Sequence, residues 1–282
     1  MSAKPFVKWV GGKTQLLPII RPLIKKSYPI KRYVEPFVGG GAVFWEVARA
    51  ESYLINDLNE DLMITYQMVK SKPDELIESV QKVSDYFLSL SDEARKAYYL
   101  KVRELDRTEG FGELSLIARA TRFIFLNKAG YSGLHRVNLR GEVNMDYGDY
   151  KQPKFIDVPN ILACSEKLQN CEIMCTSFVN IEPKRGDFWF MDPPYVDISP
   201  DRPSFKDYTK ERFTDDDQRD IANLMDLIDK CGGKFIVTNH DTPFTRKLYR
   251  KYKIKKVSVR RVISSDTNKR GAEKIEIIVT NF

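Results

Sequence analysis

The segment Asp192-Pro193-Pro194-Tyr195 follows the apolar run 188–191, which is typical of a short buried strand. Proline cannot donate a backbone hydrogen bond to a central strand, so the chain must leave the sheet at this point. The segment therefore presents a carboxylate, carbonyl groups and an aromatic ring at the carboxyl end of a strand, where open α/β sheets bind ligands. Acceptors and a stacking ring, with no evident nucleophile, suit a flat substrate that carries an amino group.

A glycine cluster at 39–41 follows a second strand-like segment, 32–38. Glycine lets the backbone approach a ligand closely and adopt positive φ. The dinucleotide-binding pattern fails here because its third glycine position is Phe44. Asp57 ends the next predicted strand, where a carboxylate can accept hydrogen bonds from a ribose. The pattern favours a nucleoside ligand without a pyrophosphate over NAD, and a tight turn without a ligand is the alternative.

The N-terminal segment 8–13 combines Trp9, which offers a ring face, with Lys13, which can pair with a carboxylate. The neighbouring Gly12-Lys13-Thr14 is not a P-loop, because Val7 stands where that motif requires glycine. We expect the segment to lie across a ligand. The alternative is that Trp9 is an ordinary core residue.

The formal net charge of +7 permits a polyanionic partner, and its distribution says more than its total. Residues 119–140 include five basic residues and no acid, and residues 246–261 include nine basic residues and no acid. A run of like charge is usually a solvated face. Two such runs in one chain with a substrate-like site favour a nucleic-acid partner.

Composition excludes several other classes of protein. The chain is 282 residues long and 42% hydrophobic, which is ample for a packed core, yet no apolar run reaches the length of a membrane span. Its start lacks the apolar core of a signal peptide. The four cysteines lack CxxC spacing and neither histidine lies near them, so we expect no metal site and buried free thiols in a reducing compartment. These features predict a cytoplasmic protein without a membrane partner.

The elements that must position these residues alternate in the α/β manner at both ends of the chain. A mainly helical insertion interrupts them, and it ends in a predicted β-hairpin around residues 139–142. We expect one α/β domain from residues 1–58 and 151–282, with the insertion at 59–150. The predicted strands are 32–38, 53–57, 173–178, 188–191, 235–238, 257–262 and 275–280, and the predicted helices are 13–26, 41–50, 73–87, 91–107, 113–128 and 215–230.

Together the motifs resemble those of the Dam family of DNA adenine-N6 methyltransferases. The resemblance covers nearly the whole chain, and its segments are 8–13, 34–41, 127–144, 192–195, 238–241 and 260–265. It implies a class I methyltransferase fold with a Rossmann-like, doubly wound sheet, S-adenosylmethionine as the methyl donor, and an insertion that reads double-stranded DNA. It also implies a set of cofactor-binding residues: Trp9, Lys13, Phe37, Gly39, Gly41, Asp57 and Asp192.

Base recognition is expected from the hairpin and the N-terminal segment. Arg136 can make a bidentate contact to guanine, Leu134 can touch a thymine methyl, and Tyr131 can wedge into the base stack. Lys8 is a candidate for a second guanine, and phosphate contact or packing is the alternative for each of these residues. Ser132 and Asn138 complete the expected DNA-binding set. His135 departs from the family pattern beside Arg136, which puts a contact there in doubt.

The resemblance implies methylation of the adenine in GATC. An exocyclic adenine amine is a poor nucleophile, and two acceptors on its hydrogens, the Asp192 carboxylate and the Pro193 carbonyl, would aim its lone pair. The base must leave the duplex to reach them, and Tyr195 is the ring on which it would stack. We expect a monomer. Two alternatives stay open: a methyltransferase acting on RNA or on another DNA sequence, and a non-catalytic DNA-binding module that retains the fold.

Overall fold

A computed structural model describes residues 2–47, 49–133, 135–138, 140–196, 213–260 and 273–282. Its strands form one seven-stranded sheet in the order β3-β2-β1-β4-β5-β7-β6. The strands are β1 (Ile30–Glu35), β2 (Ala50–Asn56), β3 (Cys171–Met174), β4 (Asp187–Met191), β5 (Lys234–His240), β6 (Lys253–Arg260) and β7 (Glu273–Thr280).

The sheet is doubly wound. Strands β1 to β5 are parallel, whereas β7 runs antiparallel between β5 and β6. The strand order reverses between β1 and β4, so the crevice outside the carboxyl ends of these two strands is the expected ligand site. This arrangement confirms the α/β, class I methyltransferase fold.

Among the described residues, eight α-helices accompany the sheet. Serine and threonine hydroxyls cap four of them, each accepting a hydrogen bond from a backbone N–H in the first turn: Ser91, Ser115, Thr214 and Thr242. The helices are α1 (Leu17–Lys25), α2 (Glu60–Ser71), α3 (Pro73–Ser89), α4 (Asp92–Arg103), α5 (Leu116–Ala129), α6 (Val158–Leu168), α7 (Asp215–Lys230) and α8 (Pro243–Leu248).

Apolar side chains alternate between the two faces of the central strands. Trp189 packs in a cluster with Ile228 of α7, whereas its neighbour Phe190 belongs to a second cluster with Ile20 of α1 and Leu62 of α2. Strands buried on both faces must be apolar throughout, which explains the unbroken run in β4. The second cluster continues into the insertion, and the division into two domains stays a prediction.

The helix predicted over 41–50 is wrong. The segment is a series of turns around one short 3-10 helix, Phe44–Glu46, and β2 already begins at Ala50. Gly41 adopts φ +70°, and the Trp45 indole N–H donates to the Gly40 carbonyl at 3.1 Å. These contacts fold the apolar residues into a compact turn instead of a helix.

Other elements differ from their predicted bounds. Helix α2 was not predicted, although Asn59 caps it by accepting from the Leu62 N–H. The predicted hairpin is short: its two sides are joined by one antiparallel bridge, Val137↔Val143, with hydrogen bonds from the Asn138 N–H to the Glu142 carbonyl and from the Asn144 N–H to the Arg136 carbonyl. A second isolated antiparallel bridge joins Gly130 and Tyr147. The predicted strand 173–178 runs from Cys171 to Met174, and the end of predicted strand 257–262 lies outside the described residues.

The cysteines of the chain are free thiols, but they are not all buried: Cys164 and Cys171 are buried, Cys231 is half-buried and Cys175 is exposed. Within the described ranges, no group of three or more histidine, cysteine or acidic side chains is placed to hold a metal ion. No described helix is both long enough and apolar enough to span a bilayer.

Candidate active site and nucleic-acid interface

The carboxyl ends of the parallel strands bring four polar side chains to one edge of the sheet. Glu35 ends β1, Asp57 follows β2, Asp192 follows β4, and Thr238 lies near the end of β5. Because neighbouring parallel strands end at the same edge, residues about 200 positions apart in sequence meet there. This edge is the candidate active site.

Asp192 is held by two donors. Lys13 Nζ lies 2.7 Å from Asp192 Oδ2, and the Thr238 hydroxyl donates to Oδ1 at 2.6 Å. The lysine also donates to the Gly11 carbonyl at 2.6 Å and is only 8% exposed, whereas the aspartate side chain is 19% exposed. One donor on each oxygen fixes the carboxylate while leaving lone pairs free for a substrate amine.

Two buried side-chain amides, those of Gln218 and Asn239, fix the turn that follows Asp192. Gln218 Nε2 donates to the Pro194 carbonyl at 2.7 Å, and Asn239 Nδ2 donates to Gln218 Oε1 at 2.9 Å. The Val196 N–H in turn donates to Asn239 Oδ1 at 3.2 Å. No group in the described part of the chain donates to the Pro193 carbonyl, so this carbonyl stays available as a second acceptor beside Asp192.

Tyr195 closes the same turn. Its hydroxyl donates to Glu276 Oε2 of β7 at 3.0 Å, and its ring meets His240 at 4.6 Å between centroids and an interplanar angle of 80°. Lys13 Nζ lies over the ring, 4.8 Å from its centroid. Burial, and then the charges of Asp192 and Glu276, raise the pKa of Tyr195, which keeps the phenol neutral.

The glycine turn and Asp57 form the neighbouring part of the site. The Gly39 N–H donates to Asp57 Oδ2 and the Asn59 N–H donates to Oδ1, both at 3.0 Å. Gly39 has φ +47°, and a Cβ there would lie 2.5 Å from Trp9 Cδ1, so only glycine fits beneath the indole. Burial raises the pKa of Asp57, and these backbone N–H groups oppose the rise.

Other residues of the expected cofactor set lie around this turn. Phe37 contacts Phe178 and Phe213 at centroid distances of 5.2 and 6.0 Å, which makes an apolar wall. Gly41 is required for packing, because a Cβ there would lie 2.8 Å from Trp45 Nε1. The structure thus brings together the predicted cofactor residues, and their roles stay predictions.

Glu35 was not among the residues singled out from the sequence. It is 2% exposed and accepts a hydrogen bond from the Tyr33 hydroxyl at 2.5 Å. Burial raises its pKa to about 8, with a further increase from the charge of Asp192, so the carboxyl is mostly protonated at neutral pH. The signal that could have identified it was an acid inside the apolar predicted strand 32–38, four residues before the glycine cluster at 39–41.

Lys8 joins the N-terminal segment to the predicted recognition loop. Its backbone is bound on both sides by one side chain: the Lys8 N–H donates to Asn127 Oδ1 at 2.8 Å, and Asn127 Nδ2 donates to the Lys8 carbonyl at 2.7 Å. The Lys8 side chain packs on Gly133, and its Nζ lies 4.6 Å from the centre of the Tyr150 ring. Lys8 and the loop therefore form one surface.

Two of the predicted DNA-binding residues, Tyr131 and Arg136, are at least partly exposed. Tyr131 is 52% exposed, and Ser132, at φ +55°, donates its N–H to the Tyr150 hydroxyl at 3.0 Å. Arg136 is partly exposed, with Nε and Nη2 donating to the Asn144 side chain and carbonyl at 2.8 and 3.0 Å, which orients the guanidinium.

Asn138 has a different environment. Its side chain donates to Glu142 at 2.7 Å and accepts from the N–H groups of Arg140 and Glu142, so it holds the hairpin turn. Its DNA contact stays a prediction. Leu134 lies outside the described residues, as does the end of the 260–265 motif.

Comparisons with known proteins decide the family. The family model of D12 class N6 adenine-specific DNA methyltransferases matches residues 9–263. The chain belongs to this family. It is 40% identical to the type II methyltransferase M.MjaIII of Methanocaldococcus jannaschii, with 100% of both chains covered. It is 35% identical to the type II methyltransferase M1.LlaDCHI of Lactococcus lactis subsp. cremoris (100% and 96% covered) and 33% identical to the DNA adenine methylase of Escherichia coli K12 (93% and 90% covered).

In this N6 adenine-specific methyltransferase, acidic side chains from other parts of the fold pair with several basic residues of the runs 119–140 and 246–261. Arg119 donates to Asp61 at 2.6 Å, and Arg122, 4% exposed, lies 3.7 Å from the same carboxylate. In the second run, Arg246 pairs with Asp241, and Lys256 Nζ lies 3.3 Å from it. The acids come from outside each run, so counting charges along the sequence overstated the free positive charge.

Proposed function

We propose that this methyltransferase transfers a methyl group from S-adenosylmethionine to N6 of an adenine flipped out of duplex DNA, within GATC. One observation supports this most strongly. Asp192, fixed by Lys13 and Thr238, stands at the switch point of the sheet beside the Pro193 carbonyl, to which none of the described residues donates a hydrogen bond. Two acceptors so placed match the two hydrogens of an exocyclic amine.

The residues act on the amine by orienting it. The adenine amine lone pair is delocalised into the ring, so it becomes nucleophilic only when the nitrogen turns towards sp³ geometry. Hydrogen bonds to Asp192 and to the Pro193 carbonyl favour that geometry and stabilise the positive charge that develops on nitrogen. Thr238 fixes Asp192, and Gln218 holds the same turn through the Pro194 carbonyl, before the base arrives. Little reorganisation is therefore needed during transfer.

The cofactor-side residues fit S-adenosylmethionine. Gly39 and Gly41 open the backbone beside the Trp9 indole, Phe37 supplies an apolar wall, and Asp57 offers a carboxylate to the ribose hydroxyls. When bound, the cofactor supplies an electrophilic methyl group on a sulfonium. A cationic ligand also suits a site with acidic groups at its base.

DNA would be read by Lys8, Tyr131, Ser132, Leu134, Arg136 and Asn138. The exposure of Tyr131 and the oriented guanidinium of Arg136 support this proposal. Flipping the adenine costs a few kcal/mol, which phosphate contacts and stacking on Tyr195 would offset. GATC follows from the Dam resemblance. Because two relatives are named type II methyltransferases, we propose a role in restriction-modification. We also propose that the protein acts as a monomer in the cytoplasm, at the nucleoid.

The test is protection of plasmid DNA. Unmethylated plasmid is incubated with the protein and S-adenosylmethionine, then digested with restriction enzymes that differ in their sensitivity to adenine methylation in GATC. We expect protection only from the sensitive enzymes, and none with Asp192→Ala. Methylated plasmid that is cut normally at GATC would reject this sequence but not the chemistry. Methyl transfer to RNA alone would reject DNA as the substrate.

A further inference from the structure

His135 lies between the recognition hairpin and the cofactor side of the site. It is 6% exposed, and its imidazole stacks on the Trp9 indole at 5.6 Å between centroids and an interplanar angle of 12°. Its Nε2 lies 2.7 Å from Asn59 Nδ2. These contacts join a residue of the hairpin to the N-terminal segment and to the start of α2.

The hydrogen bonds define the state of the imidazole. Asn59 Oδ1 accepts from the Leu62 N–H at 2.9 Å, which orients the amide so that its NH₂ group faces His135. His135 Nε2 must therefore accept, and the ring proton resides on Nδ1. Burial, and then the charge of Arg122, lower the pKa of His135 to about 4, which agrees with a neutral ring at physiological pH.

Both partners of His135 touch the cofactor side of the site. The Asn59 N–H donates to the Asp57 carboxylate at 3.0 Å, and the Trp9 indole lies directly over Gly39. In the other direction, His135 directly precedes Arg136. The buried His135 ring therefore links Asp57, the proposed ribose-binding carboxylate, to Arg136, the proposed guanine-reading arginine, through a short series of contacts.

We propose that His135 is a positioning residue that couples cofactor binding to DNA recognition. This inference rests on the proposed function. A bound cofactor that fixes Trp9 and Asp57 also fixes His135 and hence the base of the hairpin, so cofactor and specific DNA each raise the affinity for the other. By thermodynamic linkage the factor is the same in both directions.

The experiment measures this factor by calorimetry. S-adenosylhomocysteine, which carries no transferable methyl group, is titrated into the protein alone and into its complex with a GATC duplex. The coupling factor is the ratio of the two dissociation constants. Couplings between sites are typically about 5–150-fold, and we expect the parent to lie in this range. We expect His135→Ala to lower the factor to below about twofold.

Two further variants separate the contacts. His135→Phe keeps a ring against Trp9 but no acceptor, and His135→Gln keeps an acceptor but no ring, so each should give a factor between those of the parent and His135→Ala. Val137→Ala is the matched control, because it alters the same hairpin, at the Val137↔Val143 bridge, and keeps the His135 ring with its stacking and hydrogen-bond partners. It should leave the factor unchanged, even if DNA affinity falls. Thermal unfolding of every variant checks that each one is folded.

A parent factor of one, or a parent factor that His135→Ala leaves unchanged, would overturn the coupling role. Equal loss in His135→Ala and Val137→Ala would also overturn it, because any damage to the hairpin would then suffice. Plasmid methylation by the parent protein is measured in parallel. If the plasmid is methylated while the factor is insensitive to His135, only this inference fails. If no DNA is methylated, the proposed function fails.

Discussion

Thr238→Val tests how Asp192 is held. Thr238 is fully buried, and its hydroxyl donates to Asp192 Oδ1 at 2.6 Å. Valine has nearly the same shape, so the substitution removes one donor while preserving the packing. The Lys13 contact at 2.7 Å remains, so the carboxylate keeps its charge partner but loses the bond that fixes its rotation.

The magnitude follows from the type of bond. A hydrogen bond to a charged group contributes about 1.5–3 kcal/mol. If the whole amount is lost from the transition state, the rate falls by about 10-fold to 150-fold, since roughly 1.4 kcal/mol corresponds to a factor of ten. Water can reach the partly exposed carboxylate and recover part of the loss, so we expect the lower half of this range.

The assay is single-turnover methyl transfer to duplex DNA, with cofactor affinity measured separately. We expect a slower transfer step, unchanged affinity for S-adenosylmethionine and nearly unchanged thermal stability. Thr238→Ser, which keeps the hydroxyl, is the matched control and should stay within about threefold of the parent on the scale set by one such bond. A transfer rate for Thr238→Val within threefold of the parent would refute the reasoning that a fixed carboxylate orients the amine.

Three further predictions concern the cofactor side, pH and specificity. Asp57→Ala should weaken S-adenosylmethionine binding by about 1.5–3 kcal/mol, with little effect on DNA affinity measured without cofactor. Unchanged cofactor affinity in calorimetry would leave Asp57 only its hydrogen bonds to the glycine turn. Because the pKa of Glu35 is raised to about 8, the folded state retains a proton that the unfolded chain releases, so Glu35 lowers stability as pH rises from about 4.5 to 8. Glu35→Gln should therefore reduce the loss of unfolding free energy between pH 5 and pH 8, and an identical loss in both proteins would contradict a buried, protonated Glu35. Arg136→Ala should relax discrimination at one guanine by about 1–3 kcal/mol, whereas Lys255→Ala should weaken binding to all sequences equally and flatten its salt dependence. Methylation of duplexes with single-base changes, at two salt concentrations, separates these outcomes; a uniform loss on every duplex for Arg136→Ala would mean that the arginine contacts the backbone.

Elements with strong local signals were predictable from the sequence. Helix α7 spans Asp215–Lys230, as predicted, because Thr214 begins it with a capping box and its apolar residues recur at helical spacing. The turn at Asp192 was predictable for a similar reason, since two prolines after an apolar run must end a strand. In both cases the information lies within a few neighbouring residues.

The turns over 41–50 could not be predicted in this way. The residues there have apolar character suited to a helix, but distant contacts decide their conformation. Trp45 stacks on Tyr66 of α2, with 6.1 Å between centroids, and a Cβ at Gly41 would lie 2.8 Å from Trp45 Nε1 and 2.9 Å from the Tyr66 hydroxyl. Tertiary packing of this kind overrides local propensity, and no local pattern reveals it.

The partners of buried charged and polar groups could not be predicted from the sequence either. Asp61 lies 58 residues from Arg119, and Trp9 and Asn59 are both far from His135 in sequence. A run of basic residues therefore seemed free, and a histidine that departs from the family pattern had no evident role. Only the fold shows that the arginines are paired and that the histidine joins two parts of the site.

The central claim is that Asp192 and the Pro193 carbonyl orient the exocyclic amine of adenine for methyl transfer. It is tested most directly by incubating duplex DNA with the protein and S-adenosylmethionine carrying a deuterated methyl group, followed by mass spectrometry of the nucleosides. We expect the label in N6-methyldeoxyadenosine, and a rate lower by about 10²–10³ for Asp192→Ala. Label on a cytosine, or equal labelling by the parent and Asp192→Ala, would contradict the account.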